Sequence, residues 1–231
     1  MPFSEGWGKV NLTGDALKFP GMIPQRSPDW FALLAVVLSI ILHILLDAEK
    51  PCLPFIVGCC VFWVGFILWR GWQNPRIFRE WGFRSDHLRE ASTWPFLFLV
   101  LMTVAMAIWG HFQNTLRFPP HLPFLLLLYP LWGIIQQFLA LGIVVQSLEQ
   151  IPRLRENRPL ITLLTSGLFA LVHVNAWQVA LATLGLEIVF VILYFRDRNL
   201  IPLAIVHGFL GAFFYLWILD VDLWVETFGE R

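Results

Sequence analysis

The sequence predicts an all-α fold: a polytopic membrane bundle of about seven transmembrane helices with its amino terminus in the cytoplasm. Three observations predict it. Of the 231 residues 58% are hydrophobic and only 14% charged, with a mean hydropathy of +0.68, too apolar for one water-soluble domain such as a Rossmann or TIM-type enzyme. Seven stretches approach the roughly 20 apolar residues that cross about 30 Å of hydrocarbon. The basic residues, which were not used to place those stretches, fall mostly on one side of them. Sixteen Lys and Arg balance sixteen Asp and Glu, so the composition carries no nucleic-acid footprint.

The elements follow in order. Residues 1–29, rich in Pro, Gly and charge, are a cytoplasmic segment. Polar residues in front of the first apolar stretch are the wrong order for a cleavable leader, so the amino end is expected to stay in the mature protein. Spans are expected at about 30–46 and 53–69, then at 94–112, 122–146, 160–178, 179–195 and 200–219, with an acidic tail over 220–231. Only Asn175, Ala176, Trp177 and Gln178 separate the fifth span from the sixth. With these seven spans Lys9, Lys18, Arg26, Arg70, Arg76, Arg79, Arg84, Arg89, Arg153, Arg155, Arg158, Arg196 and Arg198 share the cytoplasmic side, leaving Lys50, Arg117 and Arg231 opposite. Six or eight spans would scramble that asymmetry.

The basic loop of the 30–93 unit has two readings. Asn74 as N-cap and Pro75 at the first helical position suit an interfacial helix, with Ile77, Phe78, Trp81 and Leu88 on the bilayer and arginines at anionic headgroups. The other reading is an ordinary arginine-rich loop. Cys52, Cys59 and Cys60 lie in one apolar stretch without metal-site spacing and are expected to pack between helices. Gly208 with Ala212, and Gly133, Gly167 and Gly185, suit close helix contacts.

Polar side chains at bilayer depth are expensive and usually face the bundle interior. Those expected there are His43, Gln136, Gln137, His173, Asn175, Glu187 and His207. At about 1.5 Å per residue from the cytoplasmic ends, His207 lies roughly 10 Å deep, Glu187 about 13 Å, Gln136 about 16 Å, and His43 and His173 about 20 Å. One polar site open to the cytoplasm is compatible with these depths. A lone His such as His43 often only bonds a neighbouring helix, whereas an unpaired Glu187 in hydrocarbon must be protonated, paired or wet.

Three patterns in the 94–219 unit, in order, resemble the CPBP family, the CAAX-protease and bacteriocin-processing intramembrane proteases, also called Rce1-like. The family's Glu-Glu pair with Arg corresponds to Gln136, Gln137 and the Leu-rich run that follows. Its Phe-x-x-x-His motif is matched by Phe169 and His173, and its His-x-x-x-Asn motif by His207, with Gly211 in the Asn position. The resemblance implies peptide hydrolysis within the membrane, by a water that a Glu deprotonates and two His and an Asn hold. Its substrates are hydrophobic or prenylated peptides.

A neutral amide has no useful basicity, so losing the general base alone is expected to cost on the order of 10² to 10⁴ in rate. Two readings are therefore open: a protein with impaired hydrolysis that binds hydrophobic or lipidated protein partners, or a working endopeptidase rearranged around His173, His207 and Glu187. A divalent metal such as zinc on His173 and His207 is a further expectation from the resemblance, although catalytic zinc usually has three protein ligands. A small transporter or proton relay through His43, Glu187, His173 and His207 is a third reading, which gains nothing from internal repeats. A retinal-type protein would need an intramembrane lysine for its Schiff base; Lys9, Lys18 and Lys50 all lie outside the spans.

Overall fold

The computed structural model describes residues 29–46 and 53–229. The expected amino-terminal segment, Lys50, Cys52 and Arg231 lie outside the described residues. Helix α1 spans Trp30–Leu46, α2 Leu53–Gln73, α3 Arg76–Glu80, α4 Leu88–Gln113 and α5 Leu122–Gln137. A π-helical stretch, Phe138–Val145, continues α5 into α6, Gln146–Glu149. Then follow α7 (Arg158–Leu171), α8 (Trp177–Asp197) and α9 (Ile201–Phe213), a second π stretch (Phe214–Ile218), and α10 (Leu223–Phe228).

Among the described residues, five continuous helices are long and apolar enough to cross a bilayer: Pro54–Gln73, Leu88–Gln113, Leu122–Glu149, Trp177–Asp197 and Ile201–Ile218. Two apolar helices at the expected first and fifth spans, Trp30–Leu46 and Arg158–Leu171, are shorter than that. The chain is an integral, multi-pass membrane protein. Large apolar side chains such as Phe31, Leu38, Val61, Leu97, Leu127 and Ile192 are more than half exposed on its sides, where hydrocarbon replaces water and exposure carries no hydrophobic cost.

The fifth span departs from expectation. In place of a helix over 160–178, α7 ends at Leu171 and the chain turns tightly, with His173 N–H donating to the Ala170 carbonyl and Ala176 N–H to that of His173. Such three-residue bonds cannot propagate an α-helix. At the break the Asn175 amide reaches across to the Ile44 carbonyl of α1 at 3.4 Å, a long-range contact. His173 consequently sits on a turn inside the bundle rather than on a helix face.

Helices α5 and α9 approach most closely, because Gly133 and Gly208 present no side chain to each other's backbone. A Cβ on Gly133 would stand 2.5 Å from the Ala204 carbonyl oxygen, and one on Gly208 would overlap the backbone of Pro130. Gly167 and Gly185 have nothing within 4 Å of such a Cβ, so the expectation of close contacts fails for them. Among the cysteines, Cys59 packs against the core and Cys59 and Cys60 are both free thiols.

The basic loop contains the short helix α3 and keeps Arg76 and Arg79 exposed. Asn74 does turn the chain into α3, its side chain accepting from Arg76 N–H at 3.2 Å. Ile77 and Trp81, however, are 6% and 5% exposed; they point into the protein rather than onto lipid, and Trp81 meets the Phe138 ring edge-on at 4.9 Å. The loop is held by side chains bonding backbone carbonyls, the groups that an irregular segment must otherwise leave unpaired. Gln146 donates to Glu80 O and, at 2.8 Å, to the Tyr194 hydroxyl, which donates to Trp81 O at 3.2 Å. Asn199 donates to Arg84 O at 2.8 Å. Gly82, at φ +94°, is obligatory here, because a Cβ would lie 2.8 Å from the Tyr194 ring.

Beside this loop, Arg198 grips Glu149 with both terminal nitrogens. Burial alone would depress the Arg198 guanidinium, but the Glu149 partner outweighs it and holds it above its ordinary range. The same pairing steadies Arg198 in the left-handed region at φ 50°. Arg196 packs over Trp94 and Arg158 over Phe195, so arginines assigned to one side of the membrane gather at one end of the bundle.

Candidate functional site

Helices α4, α5, α8 and α9, with the second π stretch and the turn at His173, line a half-open cavity of about 550 Å³. Its apolar wall includes Phe98, Met102 and Met106 of α4, Trp132 of α5 and Leu186 of α8, and its polar lining includes Gln136, His173, His207, Tyr129 and Thr183. Helical spacing explains which residues meet there. Tyr129, Trp132 and Gln136 stand at i, i+3 and i+7 on α5, and His207, Gly211 and Phe214 at i, i+4 and i+7 along α9 and its π extension, so each set covers one face. Gln136 and Gln137 occupy the last turn of α5, directly before the π stretch, a feature that often marks functional positions.

The two adjacent amides diverge. Gln136 lines the cavity, whereas Gln137 is fully buried behind it. The Gln137 amide nitrogen donates to Glu187 Oε2 at 2.8 Å and lies 3.2 Å from His207 Nδ1. Glu187 is fully buried and His207 is 6% exposed. Among the described residues, Gln137 Oε1 and Glu187 Oε1 have no hydrogen-bond partner. The His207 ring is wedged by Phe169 edge-on at 5.5 Å and Phe190 at 6.3 Å. Phe169 also meets His173 edge-on at 5.9 Å, so one phenylalanine touches both imidazoles.

Of the residues expected at the site, Gln136, His173 and His207 share the cavity wall. Gln137 and Glu187 form the layer behind it, and Glu187 is absent from the cavity lining. His43 is stacked on Phe55 at 6.2 Å and does not line the cavity. Gly211 lines the cavity where the Tyr129 ring fills the space beside it; a Cβ there would stand 3.1 Å from Tyr129 Cε1. The phenols of Tyr129 and Tyr215 also line the cavity, and they do not stand out in the sequence because tyrosine is common in apolar spans. The seven-residue interval from Tyr129 to Gln136 was the available signal.

The donor set does not fit a catalytic zinc. Among the described residues, no three His, Cys, Asp or Glu side chains are placed to hold an ion, and the Nδ1 atom of His207 faces Gln137. Two imidazoles fall one ligand short of the usual set. No chemistry is routed through a metal here.

Residues 117–213 match the family described as type II CAAX prenyl endopeptidase Rce1-like. The match runs from just before α5 to the end of α9 and so contains both glutamines, both histidines, Glu187 and Gly211. No curated protein and no solved structure matches the chain.

Proposed function

From the premise that this is a CAAX protease-like membrane protein, similar over 117–213 to the type II CAAX prenyl endopeptidases, we propose that it binds a hydrophobic or lipidated peptide in the α4–α5–α8–α9 cavity and that its hydrolytic capacity is impaired. The observation that carries this reading is the cavity lining: two imidazoles and an amide, with no carboxylate from the described residues. Attack of water on a peptide carbonyl needs a group that accepts a proton, and Gln136 offers a carbonyl oxygen that orients water without deprotonating it.

The rest of the wall suits retention. Aromatic and thioether side chains give adaptable apolar contact for a chain such as an isoprenoid, and the polar end supplies the few groups that fix orientation. Glu187 does not replace the lost base in this arrangement, since Gln137 stands between it and His207.

The test is equilibrium binding in lipid nanodiscs. A farnesylated peptide bearing a photoreactive diazirine should crosslink to the wild-type protein, on peptides from α4, α5 or α9, and lose labelling in Met102→Trp, which fills the cavity. Labelling spread evenly over lipid-facing residues, or undiminished in that variant, would contradict the reading.

A further inference from the structure

The Gln137 amide touches two groups whose demands conflict unless their protons are arranged in one particular way. Its nitrogen is 2.8 Å from Glu187 Oε2 and 3.2 Å from His207 Nδ1. An amide NH₂ has two hydrogens and accepts nothing, so it serves both neighbours only if Glu187 Oε2 carries no hydrogen and Nδ1 is an unprotonated acceptor. A neutral imidazole with an accepting Nδ1 carries its hydrogen on Nε2. We infer that Glu187, acting through the Gln137 amide, holds His207 as its Nε2–H tautomer, so that the polar end of the cavity offers a hydrogen-bond donor for a ligand carbonyl.

The opposite amide orientation is the alternative to exclude. It would turn Oε1 toward both neighbours, requiring a protonated Glu187 and an Nδ1–H on His207. It would also leave two amide hydrogens in the place where Gln137 Oε1 now has no partner. A buried carbonyl with an unused lone pair is tolerated more often than a buried N–H without an acceptor, and the alternative leaves the amide's two hydrogens without one. The shape of the pocket holds the ring in place: Phe169 and Phe190 flank it, and Gln137 occupies its Nδ1 side. The Nε2 side is the polar edge left for the cavity that His207 lines.

Three consequences follow. Gln137 and Glu187 are positioning residues that reach no ligand themselves. A ring nitrogen already bearing hydrogen neither coordinates an ion nor takes a proton from water, which agrees with the mismatched donor set. The preferred ligand presents an acceptor, such as a peptide or ester carbonyl, next to its apolar chain; this last consequence rests on the proposed binding role of the cavity.

The experiment is nitrogen-15 NMR of histidine-labelled protein in nanodiscs, with the His207 resonance identified by its loss in His207→Asn. The expected wild-type spectrum has the hydrogen of His207 on Nε2. Gln137→Glu replaces the donor with an acceptor and should move that hydrogen to Nδ1; a merely structural role for Gln137 would leave the tautomer unmoved. A wild-type hydrogen on Nδ1, or an unchanged tautomer in Gln137→Glu, overturns the inference, and the wild-type spectrum decides it even if the variant does not fold.

A second arm compares S-farnesyl-cysteine methyl ester with farnesyl ethyl thioether, which lacks a carbonyl. The ester should bind roughly tenfold more tightly, the scale of one buried hydrogen bond, and lose that advantage in His207→Phe. Equal binding of both probes overturns the donor assignment. Failure of either probe to bind refutes the cavity's proposed role instead and leaves the tautomer to be decided by its spectrum.

Discussion

Among the described residues two acidic side chains, Glu149 and Glu187, are buried, and they are treated in opposite ways. Glu149, at the arginine-rich end, is gripped by Arg198 in a belt where Tyr194, Gln146 and Asn199 close every loop carbonyl they reach. Glu187, in the middle of the bundle, accepts from the neutral Gln137 amide, and among the described residues it pairs with no cation and one of its oxygens has no partner. A buried charge with a matched counter-charge and saturated hydrogen bonds is a fastening. One with a single neutral donor is held less firmly by its surroundings, and such incompletely satisfied groups concentrate where a side chain is arranged for binding or chemistry.

Breaking the fastening should have the largest effect. Arg198→Ala leaves Glu149, 9% exposed, without its counter-charge and should cost about 3 kcal/mol of stability. The check is thermal unfolding in detergent, together with retained photolabelling by the farnesylated probe below the new melting temperature. If stability falls by less than about 1 kcal/mol, the belt is not the fastening described here.

Gln137→Leu comes next, because it strands Glu187 without a donor; a loss of about 1–3 kcal/mol is expected. Glu187→Gln should be milder, under about 1 kcal/mol, since an amide retains hydrogen-bonding capacity toward Gln137 without a charge to compensate. If Glu187→Gln proved as damaging as Arg198→Ala by the same unfolding measurement, the two carboxylates would be equivalent and the contrast would fail.

The smallest effect belongs to Asp86, on the surface of the loop, whose hydrogen bonds from Arg84 hold its carboxyl well below the usual carboxylate range. A depressed folded value stabilises the fold above the unfolded value of about 4 and loses that contribution as pH falls through the folded one. The difference in melting temperature between wild type and Asp86→Asn should therefore be small, constant from pH 8 to about 5, and close only in stronger acid. A gap that closed between pH 7 and 5 would mean that Asp86 is not held in this way.

The same contrast explains what could be read from the residues alone. The apolar helices follow from composition and helical period, which are local properties, and the overlapping depths of His173, His207 and Gln136 are compatible with the wall they share without requiring it. The docked loop did not follow, because Ile77 and Trp81 read equally well as lipid anchors or as core; only the positions of Phe138 and Tyr194 decide. Nor did the layering of Gln136 and Gln137, adjacent residues that point about 100° apart on a helix, one to the cavity and one to Glu187. His173 reads as helical because the polar break after it is short, and the contact from Asn175 to α1 beside that break is long-range. Residue type alone suits Gly167 and Gly185 to packing, but it cannot tell a crossing point from an open groove.

The central claim, a cavity built to hold a lipidated peptide but lacking the base to cut it, is tested most directly by mass spectrometry of a farnesylated peptide incubated with excess purified protein in nanodiscs. The account predicts that photolabelled peptide is recovered at its intact mass over many hours, in wild type as in His173→Ala. A cleaved product from the wild-type protein that disappears in both His173→Ala and Glu187→Gln would contradict it.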